Sequence, residues 1–305
     1  MSSGRRITTA AVTVIFILAA SAIMTVARAG IVEKKDVLTG MAGDYKILGD
    51  MYLPEGDGPF PAIYSIHGGG FVVGDKSQEP LVRYCRELAE AGFVVLNINY
   101  RLLNQGGIFP NSIHDVKCGL AWLKTHAAEY GVDPDRIAVS GYSAGAHLAA
   151  MVSLTQNVKE FQPVCSGLED VDTSVAAGVL LYPPTNLMTL KGGPAVMLQG
   201  EFARFAKINT PKKKKAFMRK FSPVNYVDKN APPLFICHSD PDQLVNTGQS
   251  RELAAELERK NLPYGYFEIY GEEYDHGFYL QKRDLPQTEE AHRRILAFLK
   301  GRLVK

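Results

Sequence analysis

The chain has 305 residues, 46% of them hydrophobic and 22% charged, with a formal net charge of +2. This is an ordinary globular composition, long enough to bury the core of one α/β catalytic domain. So small a net charge produces no overall field of the kind that gathers nucleic acid, and no nucleic-acid partner is expected.

In chain order the first feature is a leader. "MSSGRR" carries Arg5 and Arg6, and "ITTAAVTVIFILAASAIMTVA" then runs without charge as far as Arg28. A run of roughly 20 uncharged residues suffices to span a bilayer, whereas a secretory peptide wants a shorter apolar region and a small-x-small cleavage site. Ala20-Ser21-Ala22 and Ala27-Arg28-Ala29 both offer such a site. Residues 1–29 are therefore expected to be a cleaved signal peptide, with an uncleaved membrane anchor as the alternative. Under either reading residues 30–305 are exported to the periplasm or the exterior, and the membrane is met only through this segment.

After the leader "DYKILGDMYLP" alternates like an antiparallel strand, and "FPAIYSIH" is a short apolar run bounded by prolines and glycines. "EPLVRYCRELAEAG" has helical spacing up to Gly92, "FVVLNINY" reads as a buried strand, and "SIHDVKCGLAWLKTHAAEYG" as a helix closed by Gly131. "VDPD" is then a turn, "RIAVSGY" a strand and "AGAHLAAMVSL" a helix. The rhythm continues through the strands "VAAGVLLYP" and "PLFICHS", the helix "GQSRELAAELERKN", the strand "YGYFEIYG" and the closing helix "TEEAHRRILAFLKGRL". Strands alternating with helices call for a mostly parallel sheet covered on both faces. One stretch breaks the pattern: residues 183–232 are far longer than a single crossover needs and leave room for a small lid. It contains "PKKKKAFMRK", whose cations read first as a solvated helix face and second as a contact for an anionic polymer or membrane surface.

The four cysteines, Cys85, Cys118, Cys165 and Cys237, lack the paired spacing of zinc sites, so no metal is expected. Export would permit a disulfide, but buried free thiols are the preferred expectation.

Two glycine-rich stretches carry the chemistry. "GYSAG" at 141–145 follows a strand and fits the sharp G-x-S-x-G turn that lifts a serine hydroxyl clear of the backbone. "HGGGF" at 67–71 follows an earlier strand, where bare N–H groups can point at developing negative charge. A serine needs a base, and the base needs an orienting acid. "HSDPDQLV" and "YDHGF" supply Asp242 and His276 in the order serine, acid, histidine, each just after a strand. Asp240 and Asp275 are competing acids. His114, His126, His147, His238 and His292 fall within helical or strand patterns that give them structural roles. The catalytic candidates are thus Ser143, Asp242 and His276, with Gly69, Gly70 and Ala144 as oxyanion donors. No nucleotide loop occurs, and the mechanism calls for no cofactor.

Together with "YSIHGGGFVVGDKS", "VLNINYRL" and "FPNSIHDVKCGLAWLKTHAAEYGVDPDRIAVSGYSAGAHLAA", these stretches resemble α/β-hydrolase carboxylesterases with an HGGG loop, relatives of the hormone-sensitive-lipase-like esterases. The resemblance covers most of residues 45–280. It implies an α/β-hydrolase fold, the same six site residues, and a propping role for His67. Those enzymes carry a helical cap before the HGGG strand, whereas residues 30–66 here look strand-like. That is similar to the cap-poor acetyl-xylan and feruloyl esterases, and implies a short-chain or polysaccharide-linked ester as substrate. The competing readings are an exopeptidase of the prolyl-oligopeptidase type, an aryl formamidase and a non-catalytic binding module on the same fold.

Overall fold

A computed structural model of the chain describes residues 25–28, 30–192 and 200–304. Residues 1–24 and 29 of the expected leader, and 193–199 of the expected lid, lie outside the described residues. Among the described residues nine strands form one sheet, in the order β1-β2-β3-β5-β4-β6-β7-β8-β9. β1 (Thr25–Arg28), β2 (Ile31–Ala42) and β3 (Tyr45–Pro54) make an antiparallel meander, and β3 runs antiparallel to β5 (Val94–Ile98). The other strands, β4 (Phe60–Ile66), β6 (Val132–Tyr142), β7 (Ala177–Leu181), β8 (Leu234–Ser239) and β9 (Tyr264–Ile269), lie parallel, as β4 does to β5. Among the described residues no helix precedes β4.

Every residue of β5, β7 and β8 is buried, which explains why these strands read as continuous apolar runs: helices cover both faces of the sheet. On one face lie α2 (Asn111–Thr125), α3 (Ala144–Leu154) and α5 (Gly248–Arg259), with Ile113, Leu120, Leu148, Val152, Leu253 and Leu257 in a common core. On the other lie α1 (Glu79–Glu90), the short α6 (Phe278–Gln281) and the closing α7 (Pro286–Leu303), joined through Leu81, Leu88, Phe278, Ile295 and Leu299. Strand order reverses at β4, because β5 pairs on one side of it and β6 on the other. In open α/β sheets the crevice at such a reversal, outside the carboxyl ends of the strands, takes the ligand.

Two expectations change. "VDPD" lies within β6, yet its turn survives as an excursion. The β4 register steps from Phe60↔Val132 to Ala62↔Ile137, and Asp133 accepts the Asp135 N–H at 3.0 Å. Cys118 and Cys165 are not free thiols but a disulfide. The loop after α3 folds back over α2 and brings their Cα atoms to 5.8 Å across a sequence separation of 47, a proximity that spacing does not encode. Cys85 and Cys237 are buried free thiols as expected.

The segment 183–232 contains a helical stretch at 200–205 and α4 (Pro211–Lys220). Thr210 caps α4 by accepting the Lys213 N–H, and Met218 is its buried residue. Phe202, Phe217 and Phe221 pack against Phe109, which also meets Phe71 of the glycine-rich loop edge to face at 5.2 Å. Among the described residues no helix is long and apolar enough to cross a membrane.

Candidate active site

Ser143 links β6 to α3 with φ of 53° and ψ of −122°, a conformation that side chains other than glycine rarely adopt. Hydrogen bonds hold it there: its N–H donates to Leu181 O at 2.9 Å and its carbonyl accepts from His147 N–H at 3.0 Å. The turn can close only if the residues flanking it are bare. A Cβ on Gly145 would stand 2.2 Å from Ile66 O and 2.4 Å from His67 O, because α3 starts against the end of β4. A Cβ on Gly141 would meet Gly145 O at 2.3 Å.

The loop after β4 is equally constrained. A Cβ on Gly69, at φ of 111°, would meet Val73 O at 1.9 Å. The His67 Nδ1–H donates to Gly68 O at 2.7 Å, and Val72 and Val73 N–H donate to Gly69 O at 3.1 and 3.0 Å. With each of these carbonyls engaged, a trans peptide turns the N–H of the residue that follows, Gly69 or Gly70, away from that carbonyl's partners. The Ala144 N–H is among the free donors at the start of α3, where the helix dipole favours negative charge. Gly69, Gly70 and Ala144 all line the same cavity.

His67 is buried and stacked on Tyr100 at 4.4 Å between ring centroids. Burial outweighs its bond to Gly68 and pushes its pKa down to about 4, so it stays neutral at ordinary pH. Two further motif residues support this loop, although the sequence gives them no role. Arg101 grips the buried Asp115 of α2 through Nη2 at 2.6 Å and Nε at 2.8 Å. The chain it fixes sends Tyr100 Oη to His67 O at 3.2 Å and Leu103 N–H to Phe71 O at 2.8 Å.

On the far side, Asp242 follows β8 and His276 follows β9. The His276 Nε2 lies 2.9 Å from Ser143 Oγ, and its Nδ1 lies 2.7 Å from Asp242 Oδ2. The other Asp242 oxygen accepts the N–H groups of Leu244 and Val245 at 2.9 and 2.8 Å. Burial raises the Asp242 pKa, but hydrogen bonds from His238 and His276 prevail and hold it well below the usual carboxylate range. The competing acids are engaged elsewhere: Asp240 with Arg251 at 2.8 Å and Asp275 with Lys282 at 3.0 Å. The structure therefore brings Ser143, His276 and Asp242 into one line and leaves Asp240 and Asp275 out of it.

His238 goes beyond its sequence reading. It does end a strand, and it is wholly buried. Its Nε2 lies 2.8 Å from Val245 O and 3.2 Å from Asp242 Oδ2, while its Nδ1 meets Ser250 Oγ at 2.7 Å. It ties the acid's loop to α5. The spacing of "HSDPD" placed it near Asp242, but only the tertiary fold turns its ring onto that carboxylate. His147 matches its structural role, with Nδ1–H donated to Pro184 O at 2.8 Å.

The line of side chains opens into a cavity of about 630 Å³. Apolar side chains dominate its wall, among them Leu81, Tyr182, Pro184, Leu190, Val245 and Leu280. Tyr142, unexplained by the turn motif, lines the wall and donates its hydroxyl to Gln78 Oε1 at 3.0 Å. Among the described residues no cluster of three or more His, Cys, Asp or Glu side chains offers a metal site.

The BD-FAE family model matches residues 49–257, a span that holds the glycine loop, Ser143 and Asp242. The chain belongs to the BD-FAE family. Similar sequences include the probable carboxylic ester hydrolase LipM of Mycobacterium tuberculosis, 36% identical over 70% of this chain and 48% of LipM. Esterase LipQ of the same organism is 34% identical over 65% of this chain and 45% of LipQ. The chain thus spans about half the length of the curated relatives it matches. Among solved structures, a truncated carbohydrate esterase from gut microbiota superposes with a TM-score of 0.77 at 22% identity, covering 90% of this chain and 96% of that one. Esterase B from Lactobacillus rhamnosis gives a TM-score of 0.74 at 23% identity, over 89% and 86% of the two chains. The two structural likenesses take in about nine-tenths of this BD-FAE member and with it the α/β-hydrolase fold.

Proposed function

We propose that the protein is a serine carboxylester hydrolase working through an acyl-enzyme. The observation that carries the reading is the unbroken line Ser143 Oγ, His276 Nε2, His276 Nδ1, Asp242 Oδ2, with links of 2.9 and 2.7 Å, at the mouth of an apolar cavity. His276 removes the Ser143 proton as Oγ attacks the ester carbonyl, and the oxyanion that forms is held by the N–H groups of Gly69, Gly70 and Ala144. The protonated His276 gives its proton to the departing alcohol. Water then enters, is deprotonated by His276, and releases the acid and Ser143. Asp242 keeps the imidazole in the tautomer that presents Nε2 to the serine.

The apolar wall suits short acyl chains and aromatic groups, which supports acetyl and feruloyl esters, including carbohydrate-linked ones, as the substrate class. Similarity to LipM and LipQ supports ester hydrolysis itself. Residues 1–29 are proposed as the export segment, and the Cys118–Cys165 disulfide suits the oxidising compartment to which it leads. The segment 183–232, part of which lines the cavity through Pro184, Leu190 and Glu201, is proposed as a lid.

Replacing Ser143 with alanine tests the mechanism. Hydrolysis of a short-chain aryl ester should fall by about 10⁵-fold or more, and a fluorophosphonate probe should no longer label the protein, while the melting temperature stays put. Substantial turnover by the variant would remove the assignment. A panel of acetyl, butyryl, octanoyl and feruloyl esters, with acetylated xylan, decides the substrate class.

A further inference from the structure

The cations of α4 take no part in the chemistry above, and their setting differs from that of the other charged helices. From Phe202 to Val227 the sequence holds eight lysines and arginines and no acidic residue. The net charge of +2 thus divides into +8 over this stretch and −6 over the rest of the chain, and within the stretch Arg204 pairs with Glu201 and Lys220 with Glu160. On α5 and the stretch that follows it, Arg259 and Lys260 reach Glu256 at 2.7 and 3.2 Å, and on α7 Arg293 and Arg294 both reach Glu290 at 2.6 Å. On α4, among the described residues, only Lys220 has a carboxylate partner, Glu160. Lys212, Lys213, Lys215 and Arg219 are exposed.

This arrangement works against its own helix. The lysines fill the first turn, where the helix dipole favours anions, and Lys215 stands four residues before Arg219, where like charges repel. Residues that break a local rule without a gain in the fold mark a place where something outside the fold selects them. The patch is also well placed. Phe217 and Phe221 turn inward onto Phe109 and through it onto Phe71, so α4 is tied by aromatic rings to a residue that lines the catalytic cavity. Loops at the cavity leave apolar side chains in water: Val73 is 61% exposed and Leu244 43%, and Leu244 lines the mouth.

We propose that this face seats the protein on an anionic phospholipid surface. Lysines meet the phosphate headgroups, and the short apolar side chains enter the interface. A bilayer is favoured over an acidic polymer because a polymer would use the cations alone. The sequence also carries an uncharged run at residues 7–27 behind Arg5 and Arg6. The contact is additional to any made by that amino-terminal segment and is independent of ester hydrolysis.

The test floats the full chain with vesicles of phosphatidylcholine, alone or mixed with phosphatidylglycerol, at low and high salt. A K212Q/K213Q/K214Q/K215Q variant and the matching Lys→Arg variant run alongside. Phosphatidylglycerol should raise binding of the unaltered protein by at least about tenfold at low salt, and high salt should erase the increase. The glutamine variant should lose most of that increase and the arginine variant should keep it, with hydrolysis of a soluble ester unchanged in both. Insertion of the amino-terminal run contributes equally to all three proteins. Equal binding to both vesicle types, or an increase that survives the glutamine substitutions, would overturn the proposal. So would a glutamine variant that still binds vesicles but no longer binds polygalacturonate.

Discussion

Ser143 and the glycine loop stand directly on the ends of β6 and β4, whereas Asp242 and His276 stand on loops after β8 and β9. The first pair is positioned by backbone that has no other way to pass: Gly141, Gly145 and Gly69 each sit where a methyl group would overlap a peptide. The second pair is positioned by side-chain hydrogen bonds, from His276 and His238 and from the N–H groups of Leu244 and Val245 to one carboxylate. Steric exclusion tolerates no substitution. A hydrogen-bonded loop loses geometry by degrees.

Gly145→Ala should give the largest effect, because its Cβ meets two carbonyl oxygens of β4 and the residue after it. A loss of roughly 4 kcal/mol or more is expected in denaturant unfolding, or no folded protein at all. A stable, active variant would show that the serine side is less rigid than argued. Asp242→Asn, in contrast, should still give a folded protein while kcat falls by about 10⁴-fold, since the imidazole loses its preferred tautomer. His238→Leu removes only one of the donors to that carboxylate. A decrease of about 10- to 100-fold in kcat with KM nearly unchanged is expected, and His238→Gln, which keeps a donor, should recover part of it.

Acid titration separates the two sides with the smallest changes. Burial pushes both His67 and His147 down to about 4, against about 6.5 for an unfolded histidine. As pH falls through that window the unfolded chain takes up protons that the native chain refuses. Stability on the serine side is therefore complete above about pH 6.5 and is lost on the way down to about 4. Asp242 responds in the same direction but in a lower window: its folded pKa is also lowered, so its contribution is complete above the unfolded carboxylate value of about 3.9 and is lost only below it. His67→Asn keeps a donor for Gly68 O but cannot titrate. Its unfolding free energy should lose about 1.4 kcal/mol per pH unit of slope between pH 6.5 and 4. An unchanged slope there would place the proton uptake elsewhere.

Much of this site is legible in the residues because its constraints are local. The bare residues of "GYSAG" and "HGGGF", the apolar runs before them and the order serine, acid, histidine all follow from what one strand-to-loop junction permits. The choice of Asp242 over Asp240 and Asp275 is not local: three carboxylates share the neighbourhood of the histidine in sequence, and only strand positions in the sheet aim one of them at it. The same holds for His238, whose ring reaches the acid, and for Arg101 and Asp115, which brace the glycine loop from another helix. It holds again for Cys118 and Cys165, which meet across two elements. By itself the sequence determined element types, the order of the sheet's loops and the serine and histidine that the structure brings together, because periodicity and turn sterics act over a few residues. The sequence favoured Asp242 without closing the choice, and the tertiary structure alone decided which hydrogen bonds support it and which cysteines pair, because those depend on distances between strands that the chain order does not contain.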